Sequence, residues 1–263
     1  MNEEKKRIVV KVGTSSLVNA NGSIKVPTIN RLARTLSDLN QAGYEMILVS
    51  SGAVGAGMSK LQIEQRPTDI AELQALSAVG QVALMDLYTR AFNANNQEIA
   101  QILLTRDVVD FPISHDNVLR TINQLMAHHV IPIINENDPV SVDEFHHKTT
   151  FGENDQLAAI VTKFIDADEL IIMSDINGLY DANPATHPDA KLLKVVTKID
   201  DKIMQFAGGH GSQFGSGGMA TKLKAAQIIL DSDKKMVIVN GENPAIINDV
   251  INDDFTGTTF SAN

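Results

Sequence analysis

The stretch Val130-Ile-Pro-Ile-Ile134-Asn-Glu-Asn-Asp138 sets a short apolar run directly before a polar turn. The run has the length of a buried β-strand, and a helical pattern begins soon afterwards at about Asp155. Ligands of α/β proteins bind where strands end and where helices begin. The two Asn-Asp pairs, at 137–138 and 154–155, therefore predict a polar ligand site, although Asn and Asp also serve as ordinary turn and cap residues.

Strands alternate with helices on both sides of this stretch. Apolar runs predict further strands at Ile8–Val12, Met46–Val49, Ile99–Leu104, Leu170–Ser174 and Met236–Val239. Helical spacing of apolar residues begins near Pro27, Thr68, Ser114, Asp155, Asp200 and Met219. This alternation predicts an α/β fold, a three-layer αβα sandwich with a mostly parallel central sheet. We expect a single domain over residues 1–263, with two functional lobes.

The composition is that of an ordinary globular protein, with 43% hydrophobic and 21% charged residues. The net charge of -10 argues against a nucleic-acid partner, which would require a basic face. Because the chain has no Cys, it has neither disulfides nor a cysteine nucleophile. The sequence shows no signal-peptide core, and we expect no apolar run long enough to span a membrane. These features predict a cytoplasmic protein.

Three loops rich in Gly and Ser could bind an anion, at 13–16, 51–57 and 208–218. Glycine lets backbone N–H groups approach an anion closely, and a following helix adds its positive N-terminal dipole. A single loop of this kind is weak support for an anion site, because tight turns also require Gly.

Two lysines stand where a cation needs an anionic partner. Lys222 falls in the first turn of a predicted helix, where the dipole disfavours positive charge, unless its side chain is simply solvated. Lys11 interrupts a β-branched run, where an unpaired ammonium group is costly to bury. The alternative for Lys11 is an edge strand from which the side chain extends to water.

Several well-known sites are missing from the sequence. It has neither a P-loop nor a Gly-x-Gly-x-x-Gly run after a strand, and it lacks the protein-kinase motifs. The His pairs 128–129 and 146–147 do not have the spacing of a zinc site, and no hydrolase triad is supported. Two lysines, anion-binding loops and several Asp and Asn residues instead indicate phosphoryl transfer, which needs phosphate charge neutralised by Lys and Mg²⁺.

Six motifs, in order along the chain, resemble those of the amino-acid kinase family. They are Val10-Lys-Val-Gly-Thr-Ser15, Val49-Ser-Ser-Gly-Ala53, Ile134-Asn-Glu-Asn-Asp138, Phe151-Gly-Glu-Asn-Asp155, Ser174-Asp175 with Gly178-Leu-Tyr180, and Gly215-Ser-Gly-Gly-Met-Ala-Thr-Lys222. The Asn-Glu-Asn-Asp motif resembles the branch of the family that phosphorylates L-glutamate. Many members also carry a C-terminal domain resembling RNA-binding modules, which we expect this chain, ending at Asn263, to lack.

The resemblance implies the amino-acid kinase fold and transfer of the ATP γ-phosphate to the γ-carboxylate of L-glutamate, the first step of proline synthesis. It implies an acceptor-binding lobe at about 1–165 and a nucleotide-binding lobe at about 166–263. ATP and Mg²⁺ are the implied cofactors, and no residue is identified as a metal ligand. A homo-oligomer and feedback inhibition by proline are also expected by resemblance.

The same resemblance implies roles for particular residues. Lys11, Lys222 and Asp155 would be catalytic, with Asp155 holding the two lysines. The residues expected to bind glutamate are Ser51, Gly52, Asp138 and Asn154. The residues expected to bind ATP are Lys11, Gly13, Ser174, Asp175, Ser216, Gly217, Gly218, Met219, Ala220, Thr221 and Lys222.

Two other functions remain open at this point. A sister kinase would act on N-acetylglutamate, aspartate, carbamate or UMP, but the charge of Asp138 favours an acceptor with a free ammonium group. A catalytically inactive amino-acid sensor would need neither Lys11 nor Lys222.

Overall fold

The computed structural model describes residues 6–19, 22–105, 108, 111–140, 154–207 and 218–262. The strands are β1 Arg7–Val12, β2 Glu45–Ser50, β3 Ile99–Leu104, β4 Ile131–Glu136, β5 Glu169–Ser174, β6 Val195–Val196, β7 Lys235–Asn240 and β8 Gly257–Phe260. In this part of the chain they form one sheet in the order β3-β4-β2-β1-β5-β7-β8-β6. Neighbouring strands from β3 to β7 are parallel, and β8 is antiparallel to β7.

Helices connect the strands. They are α1 Thr14–Leu17, α2 Val26–Gln41, α3 Ala53–Leu61, α4 Ile70–Asn93, α5 Pro112–Ala127, α6 Asn154–Phe164, α7 Asp201–Phe206, α8 Met219–Leu230 and α9 Ile246–Ile251. Two of them start at an Asp cap, because the carboxylates of Asp69 and Asp200 accept hydrogen bonds from backbone N–H groups of the first turn.

Each face of the sheet carries its own hydrophobic core. On one face, α2, α4 and α9 pack against alternate strand residues such as Ile8 and Val10. On the other face, α5, α6 and α8 pack against a second set that includes Val9. Side chains alternate along a strand, so Lys11 shares the face of Val9, which α6 and α8 cover. The predicted αβα sandwich with a mostly parallel sheet is confirmed, whereas the division into two functional lobes stays a prediction.

Several predicted boundaries were wrong. The stretches 13–16 and 51–57 were expected to be loops, but they contain the helix α1 and the first part of α3. A helix was expected to begin near Ser114, yet α5 begins at Pro112 and Phe111 occupies the cap position. The two-residue strand β6 was not predicted.

Helix α4 also corrects the expectation that no segment is long and apolar enough to span a membrane. By length and composition alone its 24 residues meet that criterion. In the fold, however, its buried residues Leu84, Tyr88 and Phe92 belong to one of the two cores. Its outer surface carries an exposed ion pair between Asp86 and Arg90. One face of helix α4 therefore packs into the core of this domain.

Candidate active site

The predicted site residues gather where parallel strands end. Lys11 lies next to the carboxyl end of β1, and Ser51, Asp138 and Ser174 lie at or beyond the carboxyl ends of β2, β4 and β5. The backbone N–H of Ser51 donates to Val12 O at 3.1 Å, which ties the ends of β1 and β2 together. This edge of a parallel sheet is where ligands of α/β folds bind.

Asp155 holds the two predicted lysines together. Lys11 Nζ lies 2.7 Å from Asp155 Oδ1, and Lys222 Nζ lies 3.3 Å from Asp155 Oδ2. Lys11 comes from the carboxyl-terminal part of β1, Lys222 from the first turn of α8, and Asp155 from the first turn of α6. Both alternatives for the lysines were wrong, because β1 lies between β2 and β5 and each lysine is only 6% exposed.

The cluster of Lys11, Lys222 and Asp155 has an excess positive charge. Burial alone would raise the pKa of Asp155. The charges of Lys11 and Lys222, with the hydrogen bonds from Lys11 and Thr221, together outweigh this effect, so the pKa lies below its ordinary value. The carboxylate is therefore ionised, and one negative charge faces two ammonium groups. An anionic ligand that reached these lysines would be attracted by both ammonium groups.

The start of α8 contributes further polar groups beside Asp155. The Thr221 hydroxyl lies within donating distance of Asp155 Oδ2, at 2.9 Å, and of Gly218 O, at 2.8 Å. Gly218 occupies the cap position, and Met219 and Ala220 begin the helix. Their backbone N–H groups belong to the helix N-terminus, which favours negative charge. Ser216 and Gly217 lie outside the described residues.

The remaining predicted nucleotide contacts lie around the ends of β1 and β5. Ser174 is buried, and its hydroxyl donates to the exposed Asp175 at 3.2 Å. A side chain at Gly13 would come within 3.4 Å of Lys11 Nζ. Glycine at this position therefore leaves the space beside the ammonium group open.

Asn154, next to Asp155, joins a second group of residues. Its Nδ2 lies 3.0 Å from Ser51 Oγ, 3.0 Å from Ser50 O and 2.9 Å from Asn135 Oδ1. Because an amide nitrogen has two hydrogens, these three acceptors share them. Asn154 thus links α6 to the ends of β2 and β4, a role beyond the helix cap that was the alternative interpretation.

Gly52 gives the chain its turn from β2 into α3. Its φ of 101° lies in the left-handed region, which suits a residue without a Cβ. The first backbone N–H groups of α3 follow this turn directly, and N–H groups at the start of a helix can bind a carboxylate.

Asp138 stands apart from the lysines. Its Oδ2 accepts a hydrogen bond of 2.5 Å from the Ser77 hydroxyl. Burial raises the pKa of Asp138 above its ordinary value, while the Ser77 hydrogen bond and the charge of Arg66 oppose the rise. A cationic group bound at Asp138 would therefore lower this pKa again and favour the ionised form.

The structure adds residues that the sequence analysis did not single out. Four further residues lie beside those predicted to bind glutamate, namely Ser50, Ser77, Gln81 and Tyr88. The last three belong to α4. For these three helix residues, the signal in the sequence was a polar side chain on the apolar face of a long helix. Within the described part of the chain, no group of three His, Asp or Glu residues is arranged to hold a metal ion.

A comparison with models of known families shows which family the chain belongs to. A model of the amino acid kinase family matches residues 6–240. The chain belongs to the amino acid kinase family. Among its curated members, the glutamate 5-kinase of Lactococcus lactis subsp. lactis is 52% identical over 255 residues, which cover 97% of this chain and 94% of that protein.

Other amino acid kinase comparisons agree with this assignment. The glutamate 5-kinase of Listeria monocytogenes serotype 4b is 50% identical over 257 residues, covering 98% of this chain and 93% of that protein. The crystal structure of UMP kinase from Ureaplasma parvum superposes with a TM-score of 0.64 at 18% identity, covering 98% of this chain and 99% of that one. At that identity, the structural match shows the fold alone. The sequence resemblance to the family is confirmed.

Proposed function

We propose that this protein transfers the γ-phosphoryl group of ATP to the γ-carboxylate of L-glutamate, producing γ-glutamyl phosphate and ADP in the first step of proline biosynthesis. A carboxylate oxygen of glutamate attacks the γ-phosphorus, and the bond to the β,γ-bridging oxygen breaks with its electron pair passing to ADP. The observation that carries this proposal is the pair of buried lysines on Asp155. Relatives at 50–52% identity are named for this activity.

The two lysines would stabilise the charge that spreads over the transferred phosphoryl group. Phosphoryl transfer depends on positioning and electrostatic stabilisation more than on covalent help from the protein. Lys11 and Lys222 are held by one carboxylate, so little rearrangement is needed as the reaction proceeds. Asp155 is a positioning residue in this scheme, and no covalent enzyme intermediate is required.

Glutamate would bind beside the phosphoryl group through residues of β2, β4 and α6. Asp138 offers a counter-charge to the α-ammonium group, and the bound cation would oppose the rise in the pKa of Asp138 that burial causes. Ser51, Asn154 and the backbone around Gly52 offer hydrogen bonds to the carboxylates. Because Asn154 and Asp155 are consecutive, a shift of α6 would move the acceptor and lysine groups together.

ATP would extend from the lysines toward Gly13, Ser174, Asp175 and the start of α8. The positive end of α8 at Gly218 to Thr221 favours the phosphates, and Ser216 and Gly217 precede it in the chain. Mg²⁺ commonly binds nucleotide phosphates with few protein ligands. The described residues offer no cluster of carboxylates for a metal ion, which is compatible with a magnesium ion that enters bound to the phosphates of ATP. When bound, it would neutralise phosphate charge.

Further properties belong to this proposal. The net charge of -10 supports a protein that binds neither nucleic acid nor a membrane surface. The proposed use of ATP for amino-acid synthesis supports a cytoplasmic location. We expect a homo-oligomer and inhibition by proline because the resemblance to the glutamate-phosphorylating branch implies both.

Trapping of the product tests the function directly. Hydroxylamine converts an acyl phosphate to a stable hydroxamate, so the protein is incubated with Mg-ATP, hydroxylamine and one candidate acceptor. We expect hydroxamate from L-glutamate and none from N-acetylglutamate or aspartate. A signal from another acceptor alone would indicate a sister kinase. Nucleotide binding without any hydroxamate would indicate a sensor, and either result would contradict the proposal.

A further inference from the structure

Helix α4 buries three polar side chains along one stripe. Ser77, Gln81 and Tyr88 are 1%, 8% and 0% exposed. At 3.6 residues per turn, positions 77, 81 and 88 fall within about 40° of arc on the helix surface. The same face is otherwise apolar and belongs to a core, which makes three polar groups on it costly unless each is bonded.

Each of these three side chains hydrogen-bonds at the ligand edge of the sheet. Ser77 Oγ donates to Asp138 Oδ2 at 2.5 Å. Gln81 Oε1 accepts from Asn135 Nδ2 at 2.9 Å. The third contact joins the Tyr88 hydroxyl and Ser50 Oγ, which lie 2.8 Å apart.

Two of the three contacts, those of Gln81 and Tyr88, meet again at Asn154. Asn135 donates through Nδ2 to Gln81, so its Oδ1 is turned toward Asn154 Nδ2, 2.9 Å away. The backbone oxygen of Ser50 accepts from the same Asn154 amide at 3.0 Å. The Ser50 hydroxyl also lies 3.0 Å from Ser51 O, so the Tyr88 contact acts on the loop that carries Ser51.

Packing between helices holds this stripe at a fixed distance from the loop. A Cβ on Gly80 would lie 1.7 Å from Ala53 O, and one on Gly57 would lie 2.0 Å from Leu76 O. The backbones of α3 and α4 therefore touch directly at these glycines. Since α3 begins immediately after Gly52, α4 is in rigid contact with the turn that follows Ser51.

Apolar side chains of similar volume could also fill this face of α4, but they would not fix the orientation of the side chains across from them. Satisfied buried polar groups hold their partners in a single arrangement, because any shift leaves a donor or acceptor unpaired. Burial also raises the pKa of the Tyr88 phenol, so the group stays neutral and keeps its hydroxyl proton.

We propose that the Ser77–Gln81–Tyr88 stripe of α4 is a positioning surface for the acceptor site, setting the orientation of Asp138, Asn135 and the Ser50–Ser51 loop. This inference rests on the proposed function, because it assumes that these residues face the phosphoryl acceptor. None of the three stripe residues needs to touch the acceptor. Their effect passes through the side chains that they hold.

Three variants and two matched controls test the stripe. Ser77→Ala, Gln81→Met and Tyr88→Phe each remove one polar contact with little change in volume. Ser37→Ala and Gln97→Met are the controls, because both residues are buried and hydrogen-bonded away from the carboxyl ends of the strands. Ser37 donates to Ala33 O, and Gln97 contacts Asn40, Glu98 O and His129 O near the amino ends of β3 and β4.

We expect each stripe variant to raise the KM for the acceptor by about threefold to tenfold, the range for loss of one hydrogen bond. The KM for ATP should stay within about twofold of wild type, because the stripe positions only residues of the acceptor site. The control variants should lower the melting temperature by similar amounts and leave both KM values unchanged. A purely structural role would instead give stripe and control variants the same kinetics, which would overturn the inference.

Failure of the proposed function gives a different pattern. The wild-type protein is first assayed with L-glutamate, N-acetylglutamate and aspartate, and the variants are then measured with whichever acceptor it phosphorylates. Transfer to an acceptor other than glutamate overturns the proposed function, while the KM split between acceptor and ATP still decides the inference. If the wild type transfers phosphate to none of them, both the function and the inference are overturned.

Discussion

Lys11 reaches Asp155 from the centre of the sheet, with its Nζ 2.7 Å from Asp155 Oδ1. The contact joins strand β1 to the first turn of helix α6 across the core on that face of the sheet. Lys222 holds the other oxygen of the same carboxylate from α8. Substitutions of the anion and of one cation can be made separately. They test how much the cluster stabilises the fold and how much it contributes to catalysis.

Replacing Asp155 with Asn should destabilise the fold. The change leaves Lys11 and Lys222 buried without their shared anion, and breaking a buried ion pair in this way costs about 3–5 kcal/mol. Unfolding by urea, followed by circular dichroism, measures this loss. In any fraction that folds, we expect kcat to fall because the lysines lose their common anchor.

Glu169→Gln is the matched control for Asp155→Asn. Glu169 is also fully buried and also contacts two lysines, Lys6 at 2.7 Å and Lys235 at 3.2 Å, but at the opposite end of β5. Those lysines are partly exposed, so this variant should lose less stability and keep its kinetics. Equal kcat values in the two variants would contradict a catalytic role for the Asp155 cluster.

The lowered pKa of Asp155 gives a pH dependence with a definite sign. Its pKa in the folded protein lies below the unfolded value of about 4. The stability it contributes is therefore fully present above about pH 4 and is lost as pH falls through the lower, folded pKa. Urea unfolding below pH 4 should show a steeper loss for the wild type than for Asp155→Asn. Parallel curves would exclude this carboxylate as the cause.

Lys222→Ala should lower kcat by about 10²–10³, the range for loss of one donor to a transition-state charge. The control is Lys224→Ala, since Lys224 lies on the exposed side of the same helix α8. Steady-state hydroxamate formation at saturating ATP and glutamate measures both variants. We expect the control to keep wild-type turnover, and unchanged turnover in Lys222→Ala would remove this lysine from the mechanism.

The sequence predicted the sheet well because buried parallel strands leave a strong local signal. The β-branched run at Ile8–Val12 became β1 with only Arg7 added. Helix α3 escaped prediction because Gly55 and Gly57 have low intrinsic helix propensity. Its stability comes from tertiary packing, since Gly57 allows the backbone of α4 to approach. That approach cannot be read from local sequence.

The candidate site divides in the same way. Lys11 was predicted from its chemical misfit in a buried strand, and Asp155 was expected as its partner only through the family resemblance; the structure places the two side chains 2.7 Å apart. Gln81 and Tyr88 gave no comparable signal, because isolated polar residues in a long helix are ordinary. Only the position of α4 behind β2 and β4 shows that they face the acceptor side chains.

Gly80→Ala should destabilise the protein by about 3 kcal/mol, the upper end for overpacked cores. The added methyl group would meet backbone atoms, Ala53 O at 1.7 Å and Gly57 N at 2.4 Å, which cannot rotate away. Separation of α3 from α4 should also raise the KM for glutamate, since α3 follows the Ser51–Gly52 turn. Chemical denaturation and steady-state kinetics measure the two effects.

Gly43→Ala is the control for this substitution. Gly43 has a φ of 102° and no atom within 4 Å of an added Cβ, so its cost is the backbone strain alone, about 1–2 kcal/mol. This variant should keep the wild-type KM for glutamate. If Gly80→Ala were no less stable than Gly43→Ala, the close approach of the two helices would not have the cost proposed.

Asp138→Asn should raise the KM for glutamate much more than the KM for ATP, because only glutamate carries an ammonium group. In the wild type, burial raises the pKa of Asp138 above its ordinary value. As pH falls through this raised pKa, the carboxylate is protonated and loses its counter-charge, so the KM for glutamate should rise at a pH above about 4. In Asp138→Asn this acid limb should be absent, and the KM should be uniformly high. Measuring both KM values from pH 4.5 to 8 tests the assignment, with Asp86→Asn as an exposed control on α4. An acid limb that persists in Asp138→Asn would assign the titration to another group and move Asp138 out of the ammonium site.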